Sequence, residues 1–443
     1  MAEVIVIGGG LAGLAAAAAL GGAEHTVKVL ESRPFLGGRA TSYEIGNGEE
    51  AEFIDNCQHI LLRCCVNLLD FYRRLGVEQD IAFSREFTFI EPGGRRSVLR
   101  SGILPPPAHF AESFLKLSFL NFSEKLAVAR GMKAIPRETD PAKGRTDLDR
   151  ISMLDWLKEK RQPARAIERY WRQVLVSAIN EELDRMAAAH GLQVFRLGFL
   201  ARKDAYEMGV PAVPLGRLYG SEAWKRIGNV ELRLRSAVSR IVIEGSAVRS
   251  VIAGEQEVRG DFYVCALPFE RISVVAPELG LDVTAFEHSP ITGIHLWFDR
   301  PVTELPHATL LDRTMQWMFN KHEGRYVQLV VSASRSLSEM PRADVIALAL
   351  KELAEFFPAA REAKLEKAHV VKEIRATFSA RPGLEAYRPV NHTNVRNLFL
   401  AGDWTKSGWP ATMEGAVRSG YLAAQAVTAA TGAPKVFILP DIA

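Results

Sequence analysis

Asp55-Asn56-Cys57-Gln58-His59 sets five polar or reactive side chains side by side, and an imidazole with a carboxylate four residues away can move a proton. A histidine ahead of a helix also serves as a cap or a structural residue, so this segment alone names no reaction. A second group of residues points to phosphate. Gly8-Gly9-Gly10-Leu11-Ala12-Gly13 follows the apolar run Val4-Ile5-Val6-Ile7 and opens into an alanine-rich helix. Gly8 permits a tight turn, Gly10 lets the backbone approach a pyrophosphate, and Gly13 lets helix and strand pack closely. Leu11 and Ala12 fall in the first helical turn, where N–H groups and the positive dipole end face an anion. A second apolar run, Thr26 to Leu30, ends on Glu31, whose carboxylate can accept from ribose hydroxyls. Strand, glycine turn, helix, strand and acid stand in the order that dinucleotide binding requires.

The same opening stretch, Val4 to Ala23, carries no charge and has the length of a membrane span, but six glycines interrupt it and no basic segment precedes it. The 443 residues, 48% of them hydrophobic, suffice for two domains with proper cores. A net charge of +3 without lysine or arginine runs excludes a nucleic-acid groove, although a mildly basic surface suits anionic lipid. The four cysteines, Cys57, Cys64, Cys65 and Cys265, form no CxxC pair and no ligand spacing with histidine. Neither a disulfide framework nor a metal site is expected, and a reducing cytoplasm fits.

The elements that must position these groups follow in order. Gly37-Gly38-Arg39 is a loop in which Gly38 permits close approach to a ligand. Arg39 reads as a phosphate or flavin contact, or as an ordinary arginine after a turn. A helix is expected over Ile60 to Leu75, capped at Gly76 and carrying Cys64 and Cys65. The segment His109 to Phe122 is rich in phenylalanine and leucine, and reads as a core helix, the mouth of a lipophilic tunnel or a membrane-docking face. Helical patterns cover Ser152 onward and Ala166 to Ala189. From Val230 to Arg259 the period becomes two, as in successive antiparallel strands, and Asp261 to Pro268 reads as a strand returning to the first sheet. At the far end, Asp403 closes a strand, where its carboxylate can accept from a ribityl or ribose hydroxyl. Thr412-Met413-Glu414 opens a helix whose dipole can stabilise negative charge, with Glu414 also readable as a plain first-turn acid. The expected fold is α/β. A Rossmann-like nucleotide domain with a parallel sheet and a β-meander spans 1–90, 205–275 and 390–443, and an inserted α+β substrate domain spans 91–204 and 276–389.

Gly8 to Gly13, Glu31, Gly37-Gly38-Arg39, Gly402-Asp403 and Glu414-Gly415-Ala416 resemble the FAD-dependent amine oxidase and phytoene desaturase superfamily. Within it, Asp55 to Leu62, Val213-Pro214-Leu215-Gly216 and Gly408 to Gly420 resemble the squalene-associated FAD-dependent desaturase-like proteins, the hydroxysqualene dehydroxylases. The likeness covers nearly the whole chain. It implies FAD as cofactor, with Glu31 on the adenosine ribose, Arg39 near the pyrophosphate and Val238 on the adenine side. It further implies Asp403 at the ribityl-phosphate region, the Met413 N–H at the pyrimidine edge, and Gln58 and His59 beside the isoalloxazine. Cys57 departs from the small glycine expected at its position. The implied reaction is hydride delivery from reduced FAD to an allylic cation formed as hydroxysqualene loses water, with His59 and Asp55 as proton donor and Trp404 and Trp409 lining the cation. The implied partners are a lipophilic isoprenoid, an electron donor and a peripheral contact with the inner face of the cytoplasmic membrane. The alternatives are a polyene desaturase or amine oxidase, which run electrons the other way, and a non-catalytic flavoprotein scaffold.

Overall fold

The computed structural model describes residues 1–46 and 51–442. Short apolar runs that alternate with helices bury both faces of a strand, and such strands assemble in parallel. The first sheet accordingly has five parallel strands in the order Val230–Arg233, Thr26–Leu30, Glu3–Ile7, Phe262–Cys265 and Leu398–Leu400. The alanine helix Leu11–Gly21 is buried at every residue. It lies against the long C-terminal helix Met413–Ala430 so closely that a Cβ on Gly420 would run into the Ala12 carbonyl. Small residues on both helices make this approach possible, and through it the two ends of the chain share one core.

The meander has three antiparallel strands, Val238–Glu244, Ala247–Ala253 and Gln256–Val258. Val230–Arg233, expected to open that meander, is instead the edge strand of the parallel sheet, paired with Thr26–Leu30. Its alternation of leucine and arginine marks a half-exposed strand but does not choose a neighbour. Asn229 (φ 48°) and Arg235 (φ 55°) turn the chain at its two ends and set it apart.

The second sheet is mixed and seven-stranded, in the order Leu365–Phe378, His288–Phe298, Tyr326–Ser332, Trp317–His322, His307–Leu310, Glu86–Ile90 and Arg96–Arg100. Helix Arg342–Phe356 packs its Val345, Ala349, Leu353 and Phe356 into one core of this sheet. Helices between residues 111 and 200 join the other large core. Glu86–Ile90 pairs with Arg96–Arg100, so the expected boundary at residue 90 cuts a hairpin, and the substrate-side sheet begins earlier. The expected helix over 166–189 breaks at Asn180, whose left-handed backbone (φ 59°) ends Arg172–Ile179 before Ala188–Phe195 begins. The helix expected from Ile60 starts only at Val66. Leu61–Leu62 is a strand paired with Met208–Pro211, and Cys64 and Cys65 lie in the turn between.

Candidate active site

One cavity of about 680 Å³ runs from the glycine turn of the first sheet to the aromatic face of the second. At its nucleotide end Gly8 has φ +108°, and a Cβ there would stand 2.9 Å from the Ala266 carbonyl oxygen, so the tight turn requires glycine. The turn docks on the second glycine loop through the Gly10–Gly37 bridge and the Gly37 N–H donating to Gly9 O at 2.8 Å. Gly10, Gly38, Leu11 and Ala12 all border the cavity. Among the described residues no side chain caps helix Leu11–Gly21, which leaves its first N–H groups for a ligand. Gly13 does not border the cavity. A Cβ on it would strike the Gly8 carbonyl oxygen, so it serves the packing beneath the turn.

Glu31 is buried at the strand end. One carboxylate oxygen accepts from Gly9 N–H at 2.7 Å, and the other from Arg33 N–H at 2.7 Å and the Ser32 hydroxyl at 3.0 Å. The acid therefore stiffens the glycine turn while facing the same cavity, which Val238 also borders. Arg39 donates to Asp403 at 2.6 Å across 364 residues of sequence. That ion pair ties the N-terminal and C-terminal halves of the site together, and both residues line the cavity. Met413 borders it too, at the head of a helix whose Thr412 hydroxyl accepts from Gly415 N–H at 3.1 Å.

Glu414 turns toward the neighbouring helix. It accepts from Asn67 N–H at 3.2 Å, Asn67 Nδ2 at 2.8 Å and Leu68 N–H at 2.7 Å, filling the capping role that Cys65 cannot fill for helix Val66–Leu75. Burial pushes its carboxyl up to about 7.

Gln58, His59, Trp404 and Trp409 all line the cavity. The expected pairing of His59 with Asp55 does not form. His59 places Nδ1 3.0 Å from Cys57 O, while Asp55 accepts from the Ser42 hydroxyl at 2.8 Å and Leu215 N–H at 3.0 Å, behind the cavity wall. Proximity in sequence brought them onto one loop, but the extended backbone at Asp55 and the turn after it send the two side chains apart. Burial lowers the His59 pKa, which favours the neutral imidazole, a proton acceptor more readily than a donor. Cys57 is buried with its thiol pushed up to about 12 by desolvation, the state of an inert small hydrophobe. No cluster of metal ligands occurs among the described residues, and all four cysteines are free thiols.

Sequence reasoning missed Lys321. In the sequence it reads as a lysine of a solvent-facing turn, beside His322-Glu323-Gly324. In the fold it is only partly exposed, beneath the cavity wall, and donates to Gln58 Oε1 at 2.9 Å. It also missed the far end of the cavity, where Phe87, Phe89, Leu99, Phe199 and Trp317 form an apolar wall drawn from distant parts of the chain. Rings of Phe87 and Trp317 meet edge to face at 6.2 Å, and the Trp317 indole N–H donates to the Ser177 hydroxyl at 2.7 Å.

The donor set fits FAD: an uncapped helix start and paired glycine turns for phosphates, buried carboxylates after two strands of the first sheet for hydroxyls, and an amide on the wall unpartnered among the described residues. FAD supplies two-electron hydride chemistry when bound, and the chain binds it, orients the reactants and excludes water.

Residues 11–428 match the family described as flavin containing amine oxidoreductase. A probable zeta-carotene desaturase of Synechococcus elongatus is 28% identical, over 96% of this chain and 98% of its own. A 15-cis-phytoene desaturase of the same organism is 27% identical, over 96% of each chain. Among solved structures, an oxidoreductase from Methanosarcina mazei aligns with a TM-score of 0.71 at 17% identity, over 94% of this chain and 98% of that one. Cyclohexylamine oxidase from Brevibacterium oxydans aligns with a TM-score of 0.68 at 18% identity, over 97% and 99%. At such identities the structures share the fold.

Proposed function

The chain belongs to the flavin containing amine oxidoreductase family, an FAD-dependent oxidoreductase fold, and from that premise we propose that it exchanges a hydride between FAD and an allylic carbon of a long linear isoprenoid. The observation that carries this reading is the single cavity that joins the nucleotide turn to an aromatic, lipid-like end. The relatives named as phytoene and zeta-carotene desaturases support the direction of desaturation, in which the substrate loses a hydride and a proton and gains a double bond. A neutral His59 beside the cavity suits that chemistry, because it can take the proton as the hydride departs. Trp404 and Trp409 offer π faces to the positive charge that develops on carbon.

The second reading reverses the hydride and reduces hydroxysqualene to squalene, with the hydroxyl leaving as water. It draws on the likeness of Asp55 to Leu62 and Gly408 to Gly420 to the hydroxysqualene dehydroxylases. It requires a protonated donor, and the burial of His59 works against that role. Anaerobic incubation decides the direction. Oxidised holoenzyme that bleaches with phytoene and yields a more conjugated polyene supports the first reading. Photoreduced holoenzyme that reoxidises with hydroxysqualene and yields squalene replaces it with the second. Amine oxidation is disfavoured by the apolar wall, and methylated amines tested in the same assay should leave the flavin oxidised.

Access from a membrane surface fits such a substrate. Among the described residues no helix is long and apolar enough to cross a bilayer. Yet Ile103, Leu104, Leu115, Phe122 and Leu126 are exposed, with Lys116 and Lys125 among them. Behind this surface Phe110 packs 5.8 Å from Phe199 of the cavity wall. We place a peripheral contact with the inner leaflet here, together with an electron-transfer partner, and flotation with anionic liposomes tests the membrane contact.

A further inference from the structure

Gln58 stands out among the buried side chains of the cavity. It is 8% exposed, it borders the cavity, and its Nε2 has no hydrogen-bond partner among the described residues. Leaving a buried amide N–H unpaired is costly, so a ligand group is expected to meet it. The amide end that faces the cavity is not a free choice. An amide can present its oxygen or its nitrogen in nearly the same space, and its neighbours decide which. On the protein side the neighbour is the Lys321 ammonium, 2.9 Å from Oε1, which has donors only and can face nothing but the oxygen.

Lys321 is itself held in place. Its ammonium lies 3.7 Å from Asp55 Oδ2, and Asp55 is fixed through Oδ1 by Ser42 and Leu215 N–H. Lys321 also sits where strand Trp317–His322 loses register with Tyr326–Ser332, between Asn320 and His322. Such irregularities re-aim a side chain beside a functional site. Withdrawing an ammonium from water is costly even in part, and among the described residues the Asp55 carboxylate and the Gln58 amide oxygen offset that cost. The three groups come from two distant segments of sequence and meet only under the cavity wall.

We propose that Lys321, backed by Asp55, is a positioning residue that locks the Gln58 amide with its N–H toward the isoalloxazine ring, and so raises the electron affinity of the bound flavin. This rests on the reading that FAD occupies the cavity with its ring beside Gln58. An oriented donor stabilises negative charge that accumulates on a ring it faces, and a reversed amide would present a carbonyl oxygen and oppose it.

The test uses the purified holoenzyme and sulfite, which adds to oxidised flavins more tightly the more electron-poor they are, with the flavin midpoint potential as a second readout. Lys321→Met is expected to keep FAD, lower sulfite affinity about tenfold, the loss of one charge-assisted hydrogen bond, and move the potential downward. Gln58→Leu should do the same, and the double variant should fall no further than either alone. Lys321→Arg, which still can only donate, should stay near wild type. Wild-type sulfite affinity and potential in Lys321→Met overturn the proposal, as do fully additive effects, which would make the lysine a direct charge on the ring. If Lys321→Met does not fold, Gln58→Glu decides. Its carboxylate has no N–H for the cavity, so an unchanged sulfite affinity overturns the proposal. A wild-type protein that cannot be loaded with FAD at all would instead bring down the cofactor placement, a separate outcome.

Discussion

The two ends of the cavity are built on different principles. The nucleotide end is mostly backbone: Gly8, Gly10, Gly38 and the head of helix Leu11–Gly21 come from segments close in sequence, and their function follows from φ angles and missing Cβ atoms. The aromatic end is mostly side chain. Phe87, Phe199 and Trp317 arrive from a strand, a helical turn and another strand scattered over some 230 residues of chain. A phosphate demands fixed N–H groups at fixed distances, which only a particular backbone supplies. A hydrocarbon demands shape and exclusion of water, which many side chains supply from many places. The first end is therefore intolerant of small changes, whereas the second should adjust its preference by degrees.

The sharpest test of this contrast is Gly13→Leu. A side chain there drives into the Gly8 carbonyl. FAD binding should be lost and stability should fall by about 3 kcal/mol or more, read by flavin content and a denaturant titration. Retention of bound flavin would remove the distinction between the ends. Next in size, His59→Ala should cut turnover by about 10²–10⁴-fold while FAD stays bound. Loss of flavin would make the residue structural and move it to the nucleotide side of the comparison.

Glu414 probes the seam between the ends through pH. Its folded pKa, about 7, lies above the ordinary carboxyl value, so the folded state holds a proton that the unfolded state releases. Its contribution to stability is thus fully present below about pH 4.5 and is lost as pH rises through about 7, amounting to about 3 kcal/mol. Glu414→Gln should flatten this part of the stability curve between pH 5 and 8, measured by urea unfolding. At the aromatic end, Trp317→Leu should raise KM for the isoprenoid by about tenfold, from about 1–2 kcal/mol of lost aromatic contact, with flavin content unchanged. Smallest of all, Phe122→Ser should leave flavin content and detergent-solubilised turnover intact and weaken only liposome flotation, by about the burial of one exposed ring.

Much of the nucleotide end was legible in the sequence because its determinants are local. A strand, a glycine turn and a helix lie within twenty residues, and backbone sterics hardly depend on the rest of the chain. Met413 was legible for the same reason, as a helix start, while Asp403, expected to close a strand, lies in the turn that follows Leu398–Leu400. Periodicity served less well where two environments share one pattern. Val230–Arg233 alternates like a meander strand yet joins the parallel sheet, and the pattern of a helix over Ile60 to Leu75 hides a strand and a turn before Val66.

Composition and local motif determined that this chain folds around a dinucleotide and has the apolar content to enclose a lipid. Tertiary structure alone decided that Asp55 serves Lys321 and not His59, that Glu414 caps a helix 346 residues away in sequence, and that a lysine near a strand end meets the Gln58 amide oxygen beneath the cavity wall. The physical reason is range. A backbone turn is set by its own dihedral angles, whereas the partner of a buried polar group is whichever complementary group the packing of remote segments brings within about 3 Å.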